Sequence, residues 1–136
     1  MRKLLLILLV VSCSGTKNST DISGTYTSDM PGAAEQFLSD KSYTTGDILE
    51  LHKDSTYIFT TCAQIYHGNW KVSKDSLYLY CNNVSFKIDS LNTMEQYKKG
   101  TICGTAPEAY SIDGTVLLNR AKFKGAGYLY TRLKKQ

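Results

Sequence analysis

The chain of 136 residues lacks the short motifs that identify common enzyme chemistries. It contains no phosphate-binding loop, no dinucleotide-binding fingerprint and no paired-carboxylate spacing, so the sequence predicts no cofactor. The nearest nucleophile–base pair is Cys62 and His67, and no orienting acid or glycine-rich oxyanion turn accompanies it. We therefore expect a protein that is not an enzyme and has no catalytic residues.

Spacings typical of metal sites are also missing. Histidine occurs only at positions 52 and 67, and the three cysteines of the later chain are Cys62, Cys81 and Cys103. No two of these five residues form a C-x-x-C or H-x-x-x-H pair, the arrangements that commonly bind zinc. We therefore predict that the protein has no metal site.

No apolar run is long enough to cross a membrane as a helix. The longest, residues 4–11, has eight residues, whereas a spanning helix needs roughly 20. Arg2 and Lys3 precede the run and small residues follow it, which is the layout of a secretory signal peptide. The sequence therefore predicts export rather than a membrane span.

The end of this run, Val10-Val11-Ser12-Cys13, resembles the lipobox of bacterial lipoproteins. The resemblance implies cleavage before Cys13 and acylation of that cysteine, which becomes the lipid attachment site. Several acyl chains on one residue anchor a protein stably. Ser14 follows, where an acidic residue retains some lipoproteins at the inner membrane, so the resemblance implies a lipid-anchored protein of the cell envelope, at the outer membrane. An ordinary signal peptide that happens to contain a cysteine is the alternative.

We expect the chain to divide into a signal peptide (1–12), a flexible lipidated tether (13–21) and one domain of ordinary size (22–136).

Loss of the signal peptide leaves 14 basic and 12 acidic residues, so we expect no nucleic-acid partner. No acid follows Asp113, although six lysines and arginines do. These basic residues are either solvated strand residues or a patch for anionic head groups or polysaccharide.

Short segments of alternating apolar and polar residues predominate, and long segments with a 3.6-residue period are scarce. The predicted strands are 24–28, 47–52, 56–61, 68–72, 77–81, 84–88, 108–112, 116–121 and 128–133; residues 31–38 are the predicted helix. Asn82 and Asn83 suit a two-residue hairpin turn. Because closure removes the exposed edges of so large a sheet, we predict an all-β protein, a small antiparallel up-and-down barrel of about eight strands with at most one short helix.

The same alternation predicts which side chains face the inside of the barrel. A barrel of about eight strands is either filled with side chains or holds one small ligand. Aromatic residues suit such a cavity because they combine an apolar face with a polar tip. The predicted lining of the ligand cavity is Tyr57, Phe59, Trp70, Leu77, Leu79, Phe86 and Tyr130.

Export to an oxidising compartment predicts one disulfide and one spare thiol among the three later cysteines. Strand pairing places Cys62 and Cys81 on either side of Gly68, about 9.5 Å apart. That separation exceeds the roughly 7 Å between Cα atoms that a disulfide permits. If the strand that carries Cys103 returns beside residues 84–88, Cys103 reaches the same end of the barrel, next to Cys81. We therefore predict a disulfide between Cys81 and Cys103, with Cys62 free.

Several segments resemble the core of small bacterial lipoproteins with a lipocalin-like barrel: Leu49-Glu50-Leu51, Lys53-Asp54-Ser55-Thr56-Tyr57, Gly68-Asn69-Trp70 and Asp75-Ser76-Leu77-Tyr78-Leu79. In lipocalins a Gly-x-Trp lies on the first strand, and an Arg from the last strand covers the Trp ring. Here the first strand has Gly24-Thr25-Tyr26 instead. The resemblance therefore predicts that Arg132 covers Tyr26 by a cation–π contact and closes the barrel.

Two functions remain open. The first is an outer-membrane-anchored lipoprotein whose barrel binds a small apolar or amphipathic ligand. The alternative is a non-catalytic envelope protein that docks to another component through its Tyr-rich or basic surface, and exposed rings at Tyr78, Tyr80, Tyr128 and Tyr130 would favour it. We expect a monomer whose contact with the membrane is the lipid at Cys13.

Overall fold

The computed structural model describes residues 21–39, 41–123 and 127–136. The strands in these ranges are β1 (Gly24–Ser28), β2 (Ser42–Tyr43), β3 (Ile48–Leu51), β4 (Thr56–Thr60), β5 (Gln64–Ser73), β6 (Ser76–Phe86), β7 (Glu108–Asp113), β8 (Val116–Phe123) and β9 (Gly127–Lys135). The helical segments are α1 (Ala33–Leu38), α2 (Asp89–Thr93) and a 3-10 helix (Glu95–Thr101). The predicted signal peptide and the lipidation of Cys13 lie outside the described residues.

Eight of the strands form one closed antiparallel barrel. β1 pairs with β3, and from β3 onward each strand pairs with the next one in sequence as far as β9. β9 then pairs with β1, where Tyr26 lies opposite Lys135 and Ser28 lies opposite Leu133. The short strand β2 pairs in parallel with β9 beyond the end of β1. The predicted all-β, up-and-down barrel of about eight strands is confirmed.

The connections differ between the two ends of the barrel. At one end, short turns join β3 to β4, β5 to β6 and β7 to β8, and we call this the turn end. At the opposite end, the connection from β1 to β3 contains α1 and β2, and the connection from β6 to β7 contains α2 and the 3-10 helix. We call this second end the mouth.

Apolar side chains fill the middle of the barrel. Alternate residues of each strand point inward, so Tyr26, Leu49, Phe59 and Tyr66 lie side by side across β1, β3, β4 and β5. The largest fully buried side chains are Tyr26, Leu49, Leu77, Leu79, Tyr110, Leu117 and Leu133. Burial of each such side chain stabilises the fold by about 1.5–3 kcal/mol.

β6 is one continuous strand rather than the two that the sequence predicts. Asn82 and Asn83 do not form a hairpin turn but lie within β6, where the register shifts between His67 and Gly68 of β5. A β-bulge therefore accommodates the extra residue. A Cβ atom at Gly68 would lie 1.9 Å from the carbonyl oxygen of Tyr80, so the close approach of the two strands requires glycine there.

The structure contains more helix than the single short segment that the sequence predicts. α1 begins at Ala33, within the predicted range 31–38, and ends with it at Leu38. The two further helical segments lie between β6 and β7, and each has seven residues or fewer. None of the helices within the described ranges has the length and the apolar character that crossing a membrane requires.

Candidate functional site

Most of the predicted cavity residues lie in a packed core. Four of them are between 0% and 6% exposed and belong to one cluster: Tyr57, Phe59, Leu77 and Leu79. Trp70 packs against this cluster, and its Nε1 donates a hydrogen bond to the carbonyl oxygen of His52 in the β3–β4 turn (2.9 Å). The protein itself therefore fills the centre of the barrel and its turn end, as close packing of interiors requires.

Tyr130 lies outside the barrel, not in its interior as predicted. Thr131 and Leu133 are the buried residues of this part of β9, so the two-residue period places Tyr130 on the outer face. Its ring centroid lies 5.7 Å from that of Tyr43 on β2. Tyr130 and Arg120 are opposite each other on β9 and β8.

Polar side chains line the inner face at the mouth. Asp47 and Glu108 each lie two residues before a fully buried side chain of the same segment, so they share its inward direction. Gln64 and Tyr66 occupy alternate positions at the start of β5, and the Tyr66 ring centroid lies 6.1 Å from that of Phe59. We call Asp47, Gln64, Tyr66 and Glu108 the mouth cluster.

Hydrogen bonds fix the mouth cluster in place. The hydroxyl of Tyr110 donates to Oε1 of Glu108 (2.9 Å), and the hydroxyl of Tyr66 donates to Oε1 of Gln64 (2.8 Å). Nε2 of Gln64 donates in turn to the carbonyl oxygen of Gly100 (2.6 Å). Because a positioned polar group loses little freedom when it binds, this arrangement suits ligand recognition.

Burial raises the pKa of both carboxyl groups in the mouth cluster. For Glu108, desolvation is the largest cause of the raised pKa. The hydrogen bond from the Tyr110 hydroxyl lowers the pKa, and the charge of Asp47 raises it further. Asp47 is 5% exposed, and desolvation is again the largest cause of its raised pKa. A hydrogen bond with Thr44 and the charge of Lys87 lower the pKa in part. Glu108 is itself exposed to solvent although protein surrounds it.

The tyrosines near Glu108 remain protonated donors over the ordinary pH range. Burial, followed by the nearby charge of Glu108, raises the pKa of Tyr57 to about 12. The same two causes raise the pKa of Tyr66 and of Tyr110. The mouth therefore holds two carboxyl groups beside protonated phenols, of which those of Tyr66 and Tyr110 already donate to Gln64 and Glu108.

The connection from β6 to β7 forms a cap beside the mouth, and we use this name for residues 89–103. A disulfide between Cys81 and Cys103 (Cα–Cα 5.5 Å) attaches it to β6, which confirms the predicted pair, and Cys62 is free and exposed. The ring of Phe86, a predicted cavity residue, packs edge-on against Tyr97 of the cap at 5.8 Å. The cap and the barrel wall thus meet next to the mouth cluster.

Barrel closure uses Lys135 where the resemblance predicts Arg132. Tyr26 points inward, its hydroxyl donates to the carbonyl oxygen of Ile22 (2.7 Å), and Nζ of Lys135 lies 6.0 Å from its ring centroid. Arg132 points outward, and its Nε lies 3.1 Å from Oδ2 of Asp29. Positions 132 and 135 are an odd number of residues apart, so they lie on opposite faces of β9. The predicted partner of Tyr26 is therefore corrected to Lys135.

The histidines and cysteines considered as metal ligands are spread over the barrel. His52 lies in the β3–β4 turn, with Nε2 3.8 Å from Oε2 of Glu50, and His67 lies on β5. Cys62 lies at the mouth, between β4 and β5. Within the ranges that the structure describes, no three His, Cys, Asp or Glu side chains converge as metal ligands.

Sequence reasoning missed the mouth cluster, although the sequence contains a signal for its two acids. Asp47 has the same parity as the buried Leu49 and Leu51, and Glu108 has the same parity as Tyr110. An acidic residue at a position that alternation assigns to the inward face of a strand is unusual, because charged residues are seldom buried. No comparable signal exists for Gln64, because its position depends on the strand register.

The chain matches no protein-family model, and comparisons with curated proteins and with solved structures give no significant match. The geometry of the mouth is therefore the basis on which a function is inferred.

Proposed function

We propose that the barrel binds a small amphipathic molecule at its mouth. The observation that supports this proposal is the placement of two carboxyl groups with raised pKa, Asp47 and Glu108, directly above an apolar core. Convergent polar groups with perturbed pKa values in a recess are typical of ligand sites. The packed centre leaves the mouth, rather than the deep interior, as the place for the ligand.

The chemistry of the mouth cluster favours a ligand whose polar head carries N–H donors. The carboxyl groups of Asp47 and Glu108 are acceptors, and a primary ammonium group would both pair with their charge and donate hydrogen bonds. The apolar part of the ligand would rest on the neighbouring rings of Phe59 and Tyr66. An anionic head would meet the two carboxyl groups and be repelled.

Calorimetry with three eight-carbon probes tests this proposal. We expect the chain from residue 14 onward to bind octylamine, to bind octanol more weakly, and to bind octanoate least. Glu108→Gln should weaken octylamine binding by roughly tenfold or more, since a charge-assisted hydrogen bond contributes about 1.5–3 kcal/mol. Glu50→Gln removes a carboxyl group from the outer face and should have no effect. Equal affinity for the three probes, or no binding of any, would contradict the proposal.

We further infer that the protein is a lipoprotein of the outer membrane. The support is the lipobox-like segment Val10-Val11-Ser12-Cys13 and the Ser14 that follows it. Mass spectrometry of the protein expressed in a bacterium should find an acylated Cys13 at the N-terminus, and Cys13→Ala should release the chain from the outer-membrane fraction. A mature chain that begins at any other residue would refute lipidation.

Docking to another envelope protein is the second candidate function. Of the four rings considered above, those of Tyr80 and Tyr128 are 44% and 42% exposed and favour it, whereas those of Tyr78 and Tyr130 are half-buried. A photo-crosslinking amino acid at position 128 should then yield one discrete adduct in cells, whereas position 74, in an exposed turn, should yield none. The absence of an adduct at position 128 would exclude docking through the surface around Tyr128.

A further inference from the structure

A groove lies on the outer face of the barrel, between the connection that contains α1 and β2 and the strands β7, β8 and β9. Its volume is about 400 Å³, which is within the range of small-molecule sites. The side chains that line it include Glu35, Lys41, Tyr43, Asp113, Arg120 and Tyr130. We call it the outer groove. The mouth cluster lies inside the barrel, so the outer groove is a separate place for a ligand.

The connection that forms one side of the outer groove is an addition to the barrel. β1 pairs directly with β9 and completes the closure, whereas β2 adds only two residues in parallel to β9. The N–H group of Thr44 donates to the carbonyl oxygen of Tyr130 (2.9 Å), and its hydroxyl donates to that of Thr131 (3.2 Å). These hydrogen bonds hold β2 against β9, although the barrel closes without it.

Two tyrosine rings and two aliphatic side chains form the apolar part of the outer groove. The ring centroids of Tyr43 and Tyr130 are 5.7 Å apart. Val116 and Leu118 share the outer face of β8 with Arg120, and Leu118 is 38% exposed. Aromatic faces are electron-rich and attract the polarised C–H groups of a sugar ring. The strand spans about 14 Å from position 116 to position 120, so the outer groove is longer than one sugar ring.

Charges of both signs line the outer groove in balance. Arg132 also lines it, but its Nε lies 3.1 Å from Oδ2 of Asp29, so this cation already has a partner. Among the described residues, the remaining lining charges are two cations and two acids: Lys41, Arg120, Glu35 and Asp113. In the same part of the chain, no ion pair joins one of these acids to one of these cations. Their hydrogen-bonding capacity is therefore open to a ligand.

This balance of charges favours a neutral ligand with many hydroxyl groups. An anion would be repelled by the two carboxylates, and a cation would be repelled by the lysine and the arginine. A hydroxyl group, by contrast, donates to a carboxylate and accepts from an N–H group. A small zwitterion could use both signs of charge, but it would not extend along the groove.

The two cations lie beside aromatic rings. Nζ of Lys41 is 5.3 Å from the ring centroid of Tyr130, and the guanidinium of Arg120 is 4.1 Å from that of Tyr128. A guanidinium stacked on a ring keeps its in-plane N–H donors available. A sugar ring that packs on an aromatic face directs its hydroxyl groups sideways, towards donors of this kind.

We propose that the outer groove binds a neutral oligosaccharide. The C–H faces of the sugar rings pack on Tyr43 and Tyr130. Their hydroxyl groups donate to Glu35 and Asp113 and accept from Lys41 and Arg120. Tyrosine packing provides most of the contact area, and the mixed polar lining selects a ligand without net charge.

Amide NMR of the chain from residue 14 onward, which retains every described residue, tests the proposal. At slightly acidic pH it is titrated with the neutral trimer of N-acetylglucosamine, the cationic trimer of glucosamine, the anionic trimer of galacturonic acid and the zwitterion glycine betaine. We expect the neutral trimer to shift signals of residues 41–43, 111–120 and 130–132 at millimolar concentrations and to leave those of the mouth cluster unchanged. The other three should bind more weakly by about tenfold or more.

Substitutions on the outer face sharpen this test. Tyr130→Ala should weaken binding of the neutral trimer by roughly tenfold, because an aromatic face is lost. Tyr80→Ala removes an exposed ring from β6 and is the matched control, with no effect expected. Glu35→Lys combined with Asp113→Lys changes only exposed side chains, so the fold should be retained. This variant should bind the galacturonic acid trimer more tightly than the neutral one.

Four results would overturn the proposal. They are no shift with the neutral trimer, equal binding of all the probes, tighter binding of glycine betaine, and shifts confined to the mouth. An unchanged preference in the double-lysine variant would also refute the role assigned to the mixed charges. Octylamine binding at the mouth is measured on the same samples, so failure of the outer groove is distinguished from failure of the mouth.

Discussion

The two ends of the barrel use their carboxyl groups in opposite ways. At the turn end, Asp21 and Asp54 are fully solvated, and hydrogen bonds from Ser23 and Thr56 lower their pKa values. At the mouth, burial raises the pKa values of Asp47 and Glu108. An ionised carboxylate that caps a turn stabilises the fold, whereas a desolvated carboxyl group opposes it.

This difference separates an end whose carboxylates stabilise the fold from an end whose polar groups suit the binding proposed above. Tight turns, the packed Trp70 and the Lys135–Tyr26 contact close the turn end. Two long connections, from β1 to β3 and from β6 to β7, lie at the mouth, which also retains polar groups whose desolvation costs stability. Groups that oppose folding are common at functional sites, where the same desolvation strengthens the interaction with a ligand.

The largest effect should come from truncation in the centre of the barrel. Leu77→Ala removes a side chain that is 0% exposed, and we expect it to lower the free energy of unfolding by about 2–5 kcal/mol. Val72→Ala, on the neighbouring strand and 38% exposed, should cost much less. Urea denaturation of both variants measures the difference. Equal losses would show that the interior is not packed as described.

Loss of the disulfide should have the next largest effect, and it should act on the mouth. The sequence separation between Cys81 and Cys103 is 22, so replacing both by serine should lower the free energy of unfolding by about 3 kcal/mol. Hydrogen exchange should accelerate in the cap and remain slow at the turn end. Cys62→Ser is the matched control and should change neither. Uniform acceleration over the barrel would remove the distinction between the two ends.

The raised pKa values at the mouth predict a pH-dependent loss of stability. Asp47 and Glu108 bind protons more tightly in the folded than in the unfolded state. Their contribution to stability is therefore fully present below about pH 4, the pKa of such carboxyl groups in the unfolded chain. It is lost as the pH rises through their raised pKa values in the folded protein. Asp47→Asn combined with Glu108→Gln should gain stability relative to the natural chain between pH 4 and pH 7. Asp54→Asn should show the opposite trend, because the pKa of Asp54 is lowered in the fold. Parallel pH profiles for all the variants would contradict the assignment.

Substitutions of the basic residues on β9 should give the smallest effects. Lys135→Ala removes the contact with Tyr26 and a hydrogen bond from Nζ to the carbonyl oxygen of Asp21 (3.0 Å), and should cost about 0.5–1 kcal/mol. Lys134→Ala, on an exposed side chain, should change stability by less than about 0.5 kcal/mol. Thermal denaturation of the two variants decides whether Lys135 closes the turn end; a larger loss for Lys134→Ala would refute that role.

The sequence predicted the barrel because alternation is a local property, and its strands pair in sequence order. It did not predict which face of β9 points inward, because Tyr130 and Leu133 are both apolar enough to be buried. Only the pairing of β9 with its neighbours in the closed barrel places Leu133 inside. The continuity of β6 through Asn82 depends on a bulge opposite β5, which is a tertiary feature. The cap and the place of Gln64 depend on the same long-range pairing, so local patterns could not reveal them, whereas the inward phase of Asp47 and Glu108 is a local signal.

We propose above that the mouth binds the cationic head of an amphipathic molecule. Carbon-13 NMR of the carboxyl groups tests it directly, by titration of Glu108 and Asp54 with pH in the presence and absence of octylamine. We predict that the pKa of Glu108 lies above, and that of Asp54 below, the ordinary value of its residue type. Octylamine should then lower the pKa of Glu108 and leave that of Asp54 unchanged. A pKa of Glu108 that is ordinary in the unliganded protein, or that does not respond to octylamine, would contradict the account.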